Sequence, residues 1–220
     1  MSYLFVIIIT MVLGMGAQAA ISAKYKKYKD VPISTGLTGA QTARRMLDAN
    51  GLQNAQIVEI SGELTDNFNP KTWVLSLSHD IYHGTSVSAT AVACHESGHA
   101  VQHAKGYGPA KIRGTIVPVV NFASNIWPII LLIGFMMNLM GLVYAAIIFY
   151  AVVILFQLVT LPVEFDASRR ALAYIESVPG VTESEHGGAR KVLTAAAFTY
   201  VAAALASLIQ LLYMLEMARR

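Results

Sequence analysis

Three long stretches of the sequence carry no charged side chain, and they restrict the possible folds more than any other feature. They are residues 1–23, 114–163 and 192–215. A hydrocarbon core about 30 Å thick is crossed by roughly 20 apolar helical residues. The first and last stretches therefore predict one transmembrane helix each, and the middle stretch predicts two, joined by a turn near Asn138–Gly141. This pattern excludes a plain soluble globule, a disordered chain and a secreted disulfide scaffold.

The first stretch has a second interpretation as a secretory signal. Ala17-Gln18-Ala19 resembles a small-residue cleavage site. The segment lacks a positively charged beginning, however, and its apolar run is longer than the roughly 7–15 residues of a signal peptide. We therefore expect an uncleaved membrane anchor.

The distribution of basic residues predicts the orientation in the membrane. Segments 24–113 and 164–191 hold 14 of the 16 Lys and Arg residues, and four spans put both segments on the same side. Because cytoplasmic loops are enriched in Lys and Arg, we expect both in the cytoplasm and the chain in the inner (plasma) membrane. The lone Cys94 suits that compartment. No basic strip interleaved with aromatic residues is present, so the lipid bilayer and not nucleic acid is the expected partner.

These observations predict a mainly α integral membrane protein with a small α+β, zincin-like cytoplasmic domain. The predicted divisions are transmembrane helix 1 (1–23), a cytoplasmic region (24–113), a hairpin of transmembrane helices 2 and 3 (114–163), a second cytoplasmic segment (164–191), and transmembrane helix 4 with a short tail (192–220).

Local patterns predict the elements of the cytoplasmic region. Thr38 and Gln41 form a capping-box pattern that starts a helix, which ends at Asn50-Gly51. Two short strands follow, Gln56–Ile60 and Trp73–Leu77, and the second alternates apolar and polar residues. The turn-forming residues 65–70 between them predict a β-hairpin, and the edge of Trp73–Leu77 is a candidate to receive an extended peptide.

A further helix, predicted over residues 86–105, carries the H-E-x-x-H sequence His95-Glu96-Ser97-Gly98-His99. The spacing puts both imidazoles on one helix face, one turn apart, where they can bind the same Zn²⁺ ion. Glu96 is rotated by about 100° from His95, outside the ligand set but near a water that the metal would polarise. It is therefore the predicted general base. The flanking residues are small and apolar, so these polar groups would be costly to bury without a metal.

A catalytic zinc site needs a third protein ligand and one open position. His103 continues the series, but the helix rises about 12 Å from His95 to His103. It is therefore expected to support the ligands from behind, to lie on the substrate side, or to be simply a polar residue of the helix face. Glu164 is the best candidate, because it follows the third span on the same side of the membrane as the motif. The alternatives are Asp166, Glu183, Glu185 and His186.

Several segments together carry a resemblance to a known family: Gly36–Ala40, Asp48–Leu52, His95–His103, Leu161–Phe165, Ser168–Leu172 and Gly188–Leu193. They resemble the small bacterial membrane zinc metallopeptidases of the YugP type, often called neutral zinc metallopeptidases. The resemblance covers nearly the whole chain. A more distant likeness is to the HtpX-like and CAAX-prenyl-type membrane proteases.

The resemblance implies a gluzincin-like peptidase at the cytoplasmic membrane face, with a role in membrane-protein quality control and a peptide or membrane protein as substrate. In the distant relatives the third zinc ligand is the Glu of an E-x-x-x-D motif, which corresponds to Glu164. Ser168 stands where that Asp would be. Support for the ligands is therefore expected from Ser168 or Asp166.

Other roles stay open at the level of sequence. The candidate donors to a tetrahedral oxyanion are His79, Tyr82, His83, His103, Tyr107 and Arg169. An alternative function is a non-proteolytic membrane scaffold or adaptor with a structural zinc, which would have no need of Glu96 as a base. A transporter is disfavoured because the predicted spans hold no ionisable residue.

Overall fold

Within residues 3–219, which the computed structural model describes, the chain forms seven helices and three short strands. In chain order they are α1 (Tyr3–Lys29), α2 (Gly39–Ala49), β1 (Gln56–Ile60), β2 (Asn67–Asn69), β3 (Val74–Ser78), α3 (His79–His83), α4 (Val87–Ala104), α5 (Gly108–Met136), α6 (Met140–Ser177) and α7 (Glu183–Ala218).

Four of these helices, α1, α5, α6 and α7, are long and apolar enough to cross a membrane. The prediction of four spans is confirmed, and the chain is a multi-pass membrane protein. The turn between α5 and α6 lies at residues 137–139, where Asn138 has a φ of 57°. Asn tolerates this left-handed conformation better than most residues, which explains a tight turn at this point.

Helix α6 continues well beyond the charge-free stretch. Its 38 residues span about 57 Å at 1.5 Å per residue, nearly twice the thickness of a hydrocarbon core. Pro162 lies inside the helix, so Glu164 occupies a helical position and not the start of a separate segment. The residues after Pro162 bury one face, which includes Val163 and Ala167. That packing offsets the backbone hydrogen bond that a proline cannot donate.

The capping signals predicted between residues 24 and 113 are confirmed. Thr38 accepts from the backbone of Gln41, while the Gln41 side chain accepts from the backbone of Thr38. Asn50 caps the other end, and Gly51 has a φ of 76°, a conformation that glycine adopts without strain. Helix α4 is also observed within one residue of its predicted ends.

The predicted pairing of Gln56–Ile60 with Trp73–Leu77 as a β-hairpin is wrong, whereas a short hairpin does form between β2 and β3. The strands β1 and β3 are parallel, with Gln56 opposite Val74, and the sheet has the order β1-β3-β2. After β1 the chain passes to the far side of β3, forms β2 within the stretch predicted as a turn, and returns antiparallel into β3. The ring of Phe68 on β2 packs edge-on against Trp73 at 5.7 Å between centroids, and this tertiary contact outweighs the turn chemistry of the neighbouring residues.

The strand order also corrects the predicted peptide-binding edge. Because β3 is the central strand, both of its edges are already paired. The free edges of the sheet belong to β1 and β2. Leu75 and Leu77 of β3 are fully buried, as the alternation predicts.

Helix α4 lies against α6 through small side chains. An added Cβ at Gly98 would lie 2.7 Å from the carbonyl oxygen of Ala167, closer than real Cβ contacts. The absence of a side chain at this position lets the two backbones approach. Ala93 and Ala100 on α4 are likewise fully buried. This close packing brings the H-E-x-x-H motif of α4 against Glu164 of α6.

Candidate metal centre

Three potential metal ligands meet where α4 packs on α6. His95 Nε2 lies 3.2 Å from Glu164 Oε2, and His99 Nε2 lies 3.6 Å from the same oxygen. Their ligand atoms all lie within 4.8 Å of one another. The imidazole side chains are only 13% and 14% exposed, and Glu164 is 2% exposed. The structure therefore brings together the two motif histidines and the carboxylate that the sequence predicts as third ligand.

The donor set and its spacing fit zinc. Two imidazole nitrogens and one carboxylate oxygen are a known catalytic zinc set, and tetrahedral bonds of about 2.1 Å place donor atoms about 3.4 Å apart. The observed separations bracket that value. Burial opposes the protonated form of His99, but the carboxylates of Glu164 and Glu96 outweigh it and raise the pKa of His99. The cluster thus favours a positive charge at the point where a metal ion fits.

The outer nitrogens of both histidines have hydrogen-bonding partners. His99 Nδ1 lies 3.0 Å from Gln102 Oε1, and His95 Nδ1 lies 3.1 Å from Ser168 Oγ. Because the Gln102 amide oxygen can only accept, Nδ1 of His99 carries a proton, and Nε2 is the nitrogen that faces the metal position. Such outer partners fix the orientation of metal-binding histidines.

Gln102 is itself held in one orientation. Its Nε2 group donates to the carbonyl oxygen of Val163 at 2.7 Å and to Asp166 at 2.9 Å. Asp166 also accepts from Arg170 at 2.6 Å and from Arg169. A chain of hydrogen bonds therefore runs from the arginines through Asp166 and the fully buried Gln102 to His99.

The second oxygen of Glu164 is occupied by a cation. Arg113 Nη1 of α5 donates to Glu164 Oε1 at 3.0 Å, while Oε2 faces the imidazoles. Tyr200 of α7 also lies beside this carboxylate. Arg113 of α5 and Tyr200 of α7 therefore hold Glu164 so that its other oxygen points toward the metal position.

Glu96 lies next to this group and lines a cleft. Burial raises the pKa of its carboxyl, while the imidazoles of His99 and His95 oppose that shift. The cleft has a volume of about 510 Å³ and lies between α1, α7 and the connection from β1 to β2. Its lining residues include Gln18, Ser22, Glu63, Asp66, His95, Glu96, Thr199 and Tyr200.

None of the four alternative third ligands joins the donor group around His95 within residues 3–219, and two of them, Glu185 and Asp166, have other partners. Glu185 closes a capping box with Thr182 and accepts from Ser34, so it fixes the start of α7. Asp166 binds the arginines described above. Glu183 and His186 lie in the first turn of α7, and within residues 3–219 neither belongs to the donor group around His95.

The predicted oxyanion donors also lie away from the lining of the cleft as far as residues 3–219 define it. His103 packs on Phe68, and burial together with the positive charges of His99 and Arg113 lowers its pKa. Tyr107 reaches the carbonyl oxygen of Pro162 at 3.4 Å. Arg169 is 77% exposed. The remaining three, His79, Tyr82 and His83, are on α3.

Sequence reasoning missed Gln102, Arg113 and Tyr200. Gln102 stands three residues after His99, a spacing that places it on the same helix face. Arg113 and Glu164 flank the charge-free hairpin, so a hairpin that leaves and re-enters the same membrane face brings them close together. Tyr200 carries no comparable signal, because nothing in the sequence relates its position on α7 to Glu164.

Four membrane-spanning helices and a buried His–His–Glu group beside an acidic residue define the class of membrane metallopeptidases. The chain belongs to the family described as "Putative neutral zinc metallopeptidase", which it matches over residues 3–219. It is 45% identical over 212 residues to "Putative membrane protease YugP" of Bacillus subtilis (strain 168), covering 96% of this chain and 94% of that protein. No solved structure matches the chain.

Proposed function

We propose that the chain is a gluzincin-like zinc endopeptidase that cleaves peptide bonds at the cytoplasmic face of the inner membrane. One observation carries the proposal: His95, His99 and Glu164 converge on one point, with Glu96 beside them at the wall of an open cleft. The zincin-like character rests on α4 and on the small sheet beside it. The cytoplasmic placement follows from the excess of Lys and Arg in the segments that flank this site.

Zinc held by His95, His99 and Glu164 would supply a Lewis acid that polarises the attacking water and the scissile carbonyl. Glu96 accepts a proton from that water and later donates it to the leaving amine. Its raised pKa suits both transfers, because a proton carrier works best when its pKa is near the working pH.

Tyr200 is the proposed donor to the oxyanion of the tetrahedral intermediate. Its side chain lines the same cleft as Glu96 and lies beside Glu164. A phenol hydroxyl is a good hydrogen-bond donor, and such donors stabilise developing negative charge most in sites that exclude water. Arg113 has a positioning role, because it holds the oxygen of Glu164 that faces away from the imidazoles.

The cleft suggests a substrate that lies at the membrane surface. Two of its walls are parts of α1 and α7 that fall inside the charge-free stretches, and they contribute Ser22 and Thr199. An extended peptide could pair with the free edge of β2, since Asp66, next to β2, also lines the cleft. A membrane protein or a membrane-bound peptide is therefore the proposed partner, in line with a role in membrane-protein quality control.

A comparison of wild type with Glu96→Gln tests this function. Both proteins are purified in detergent, loaded with zinc and incubated with a mixed library of unstructured peptides, and the products are identified by mass spectrometry. We expect both to hold zinc in the buried site and the variant to cleave at least about 100-fold more slowly. Equal cleavage by the two proteins would contradict Glu96 as the base.

The same experiment distinguishes the alternative of a scaffold with a structural zinc. Structural zinc sites have four protein ligands and no open position, whereas this site has three candidate ligands beside a cleft. If zinc-loaded wild type cleaves no peptide in the library, and Glu96→Gln traps no membrane protein that wild type releases, the scaffold becomes the better description.

A further inference from the structure

Three side chains at one end of the small sheet form a second His–His–Glu group, separate from the proposed active site. His79 and His83 belong to α3, and Glu59 belongs to β1. Their potential ligand atoms all lie within 4.8 Å of one another. Nothing in the proposed peptidase mechanism uses them.

The fold brings these residues together for simple reasons. In the parallel pair of β1 and β3, Glu59 is opposite Leu77. The carboxyl ends of both strands therefore lie at the same end of the sheet. Helix α3 begins at His79, immediately after β3. The four-residue spacing of His79 and His83 then places both imidazoles on one helix face, toward the carboxylate on the neighbouring strand.

The carboxylate lies between the two imidazoles. Glu59 Oε1 is 2.6 Å from His79 Nδ1, and Glu59 Oε2 is 3.1 Å from His83 Nε2. The ring centroids of the histidines are 4.9 Å apart. All three side chains are exposed, by 71% for His79, 55% for His83 and 40% for Glu59. Small rotations about their side-chain bonds can therefore widen the shortest contact to the separation that a shared ion requires.

We propose that Glu59, His79 and His83 form a second binding site for a divalent transition-metal ion, with Zn²⁺ as the reference ligand. Imidazole nitrogens combined with one carboxylate suit Zn²⁺, Ni²⁺ and Cu²⁺, whereas Mg²⁺ and Ca²⁺ prefer oxygen ligands only. The exposure of the group leaves coordination positions for water, so this ion is exchangeable. The neighbouring Asp80 pairs with Lys29 and is not part of the donor set.

A metal ion at this position would connect β1 to α3. Helix α3 leads through Gly84 and Ser86 into α4, which carries the H-E-x-x-H motif. An ion that binds the folded state only stabilises it in proportion to its occupancy. We therefore expect the site to support the sheet and the start of α4 without taking part in the chemistry.

Zinc stoichiometry tests the proposal in the full-length protein. Wild type, H79A/H83A, H95A/H99A and the quadruple variant are purified in detergent without a polyhistidine tag, stripped with a chelator and dialysed against Zn²⁺. Mass spectrometry of the bound metal should give two equivalents for wild type, one for each double variant and none for the quadruple variant. Asp80→Ala is the matched control and should keep two.

One comparison decides the result even if H95A/H99A fails to fold. H79A/H83A changes only exposed side chains, and it should lose one equivalent while its buried site stays filled. Replacement of Zn²⁺ by Co²⁺ gives a second readout, in which the visible absorption of the exposed site should disappear in H79A/H83A. Equal metal content and equal Co²⁺ spectra for H79A/H83A and wild type would overturn the proposal.

Discussion

Residues 3–219 contain two groups with the same donor types in very different surroundings. The group of His95, His99 and Glu164 lies between long helices, and its carboxylate is only 2% exposed. The group of Glu59 with the two histidines of α3 lies at the water-facing end of a sheet, and each of its members is at least 40% exposed. The donor types alone therefore do not distinguish the proposed active site from the proposed second metal site.

Three features of the buried group explain the difference. Its histidines have hydrogen-bonding partners on their outer nitrogens, in Ser168 and Gln102. Its carboxylate is fixed by Arg113. Glu96, the proposed general base, lies at the wall of a cleft. Orientation, enclosure and a proton acceptor are what convert a metal-binding group into a site for hydrolysis.

Removal of the carboxylate should separate the two groups most clearly, because it should greatly reduce peptide cleavage in one case and hardly change it in the other. Glu164→Ala deletes a ligand of the proposed active site, so we expect peptide cleavage to fall at least about 1,000-fold, as for loss of the activated nucleophile. Glu59→Ala should leave cleavage within about twofold of wild type. Both rates are measured on the same library peptide at saturating zinc.

The stability of Glu164→Ala needs a control, because the substitution leaves Arg113 without its partner. Glu164→Gln keeps the shape of the side chain, and it should fold like wild type in thermal unfolding yet remain inactive. Equal losses of activity in Glu59→Ala and Glu164→Ala would show that the distinction between the two groups is wrong.

Loss of the hydrogen bond between His99 and Gln102 should have a smaller effect than loss of Glu164. Gln102→Leu removes the acceptor for Nδ1 of His99, and the loss of such a partner weakens metal binding by about 10- to 100-fold. Competition with a chromogenic chelator measures this affinity. The exposed group should be unaffected in the same titration. A Gln102→Leu protein that keeps the affinity of wild type would remove this part of the explanation.

Disturbing the close packing of α4 on α6 should weaken zinc binding by as much as Gln102→Leu does, or by less. In Gly98→Ala the new Cβ would meet the carbonyl oxygen of Ala167, and overpacking of this kind costs about 1–3 kcal/mol. We expect a lower unfolding temperature and weaker zinc binding at the buried group. Gly187→Ala is the control, because no atom lies within 4 Å of its added Cβ; it should be neutral or slightly stabilising.

Much of this architecture follows from local features of the sequence. The charge-free stretches predict the four spans, and Thr38 with Gly51 predicts both ends of α2. Each of these signals lies within one continuous segment, either a few residues at the end of a helix or a single apolar stretch. They can therefore be recognised from the sequence alone. The parallel pairing of β1 and β3 could not be predicted, because it depends on where β2 packs, and β2 is only three residues long.

The candidate site shows the same limit. The spacing of His95 and His99 is contained in one helix, and membrane topology places Glu164 on the same side. The contacts of Arg113 and Tyr200 depend on how α5 and α7 pack around α6. No short-range pattern in the sequence records that packing.

Two carboxylates near the sheet, Glu59 and Asp66, should have the smallest effects. Their contributions to the stability of the fold should change with pH in opposite directions. Hydrogen bonds from His79 and His83 lower the pKa of Glu59, so its contribution to stability is present above its unfolded pKa and disappears as the pH falls through the lowered value. Burial raises the pKa of Asp66 against the opposing hydrogen bonds from Ser78. The contribution of Asp66 to stability is therefore present below its unfolded pKa and is lost as the pH rises through the raised value.

Thermal unfolding of wild type, Glu59→Gln and Asp66→Asn in metal-free detergent buffer measures both effects. The range from about pH 3 to 8 brackets ordinary carboxyl pKa values. With increasing pH, wild type should gain stability relative to Glu59→Gln and lose stability relative to Asp66→Asn, and a change of the same sign in both would contradict the assigned causes.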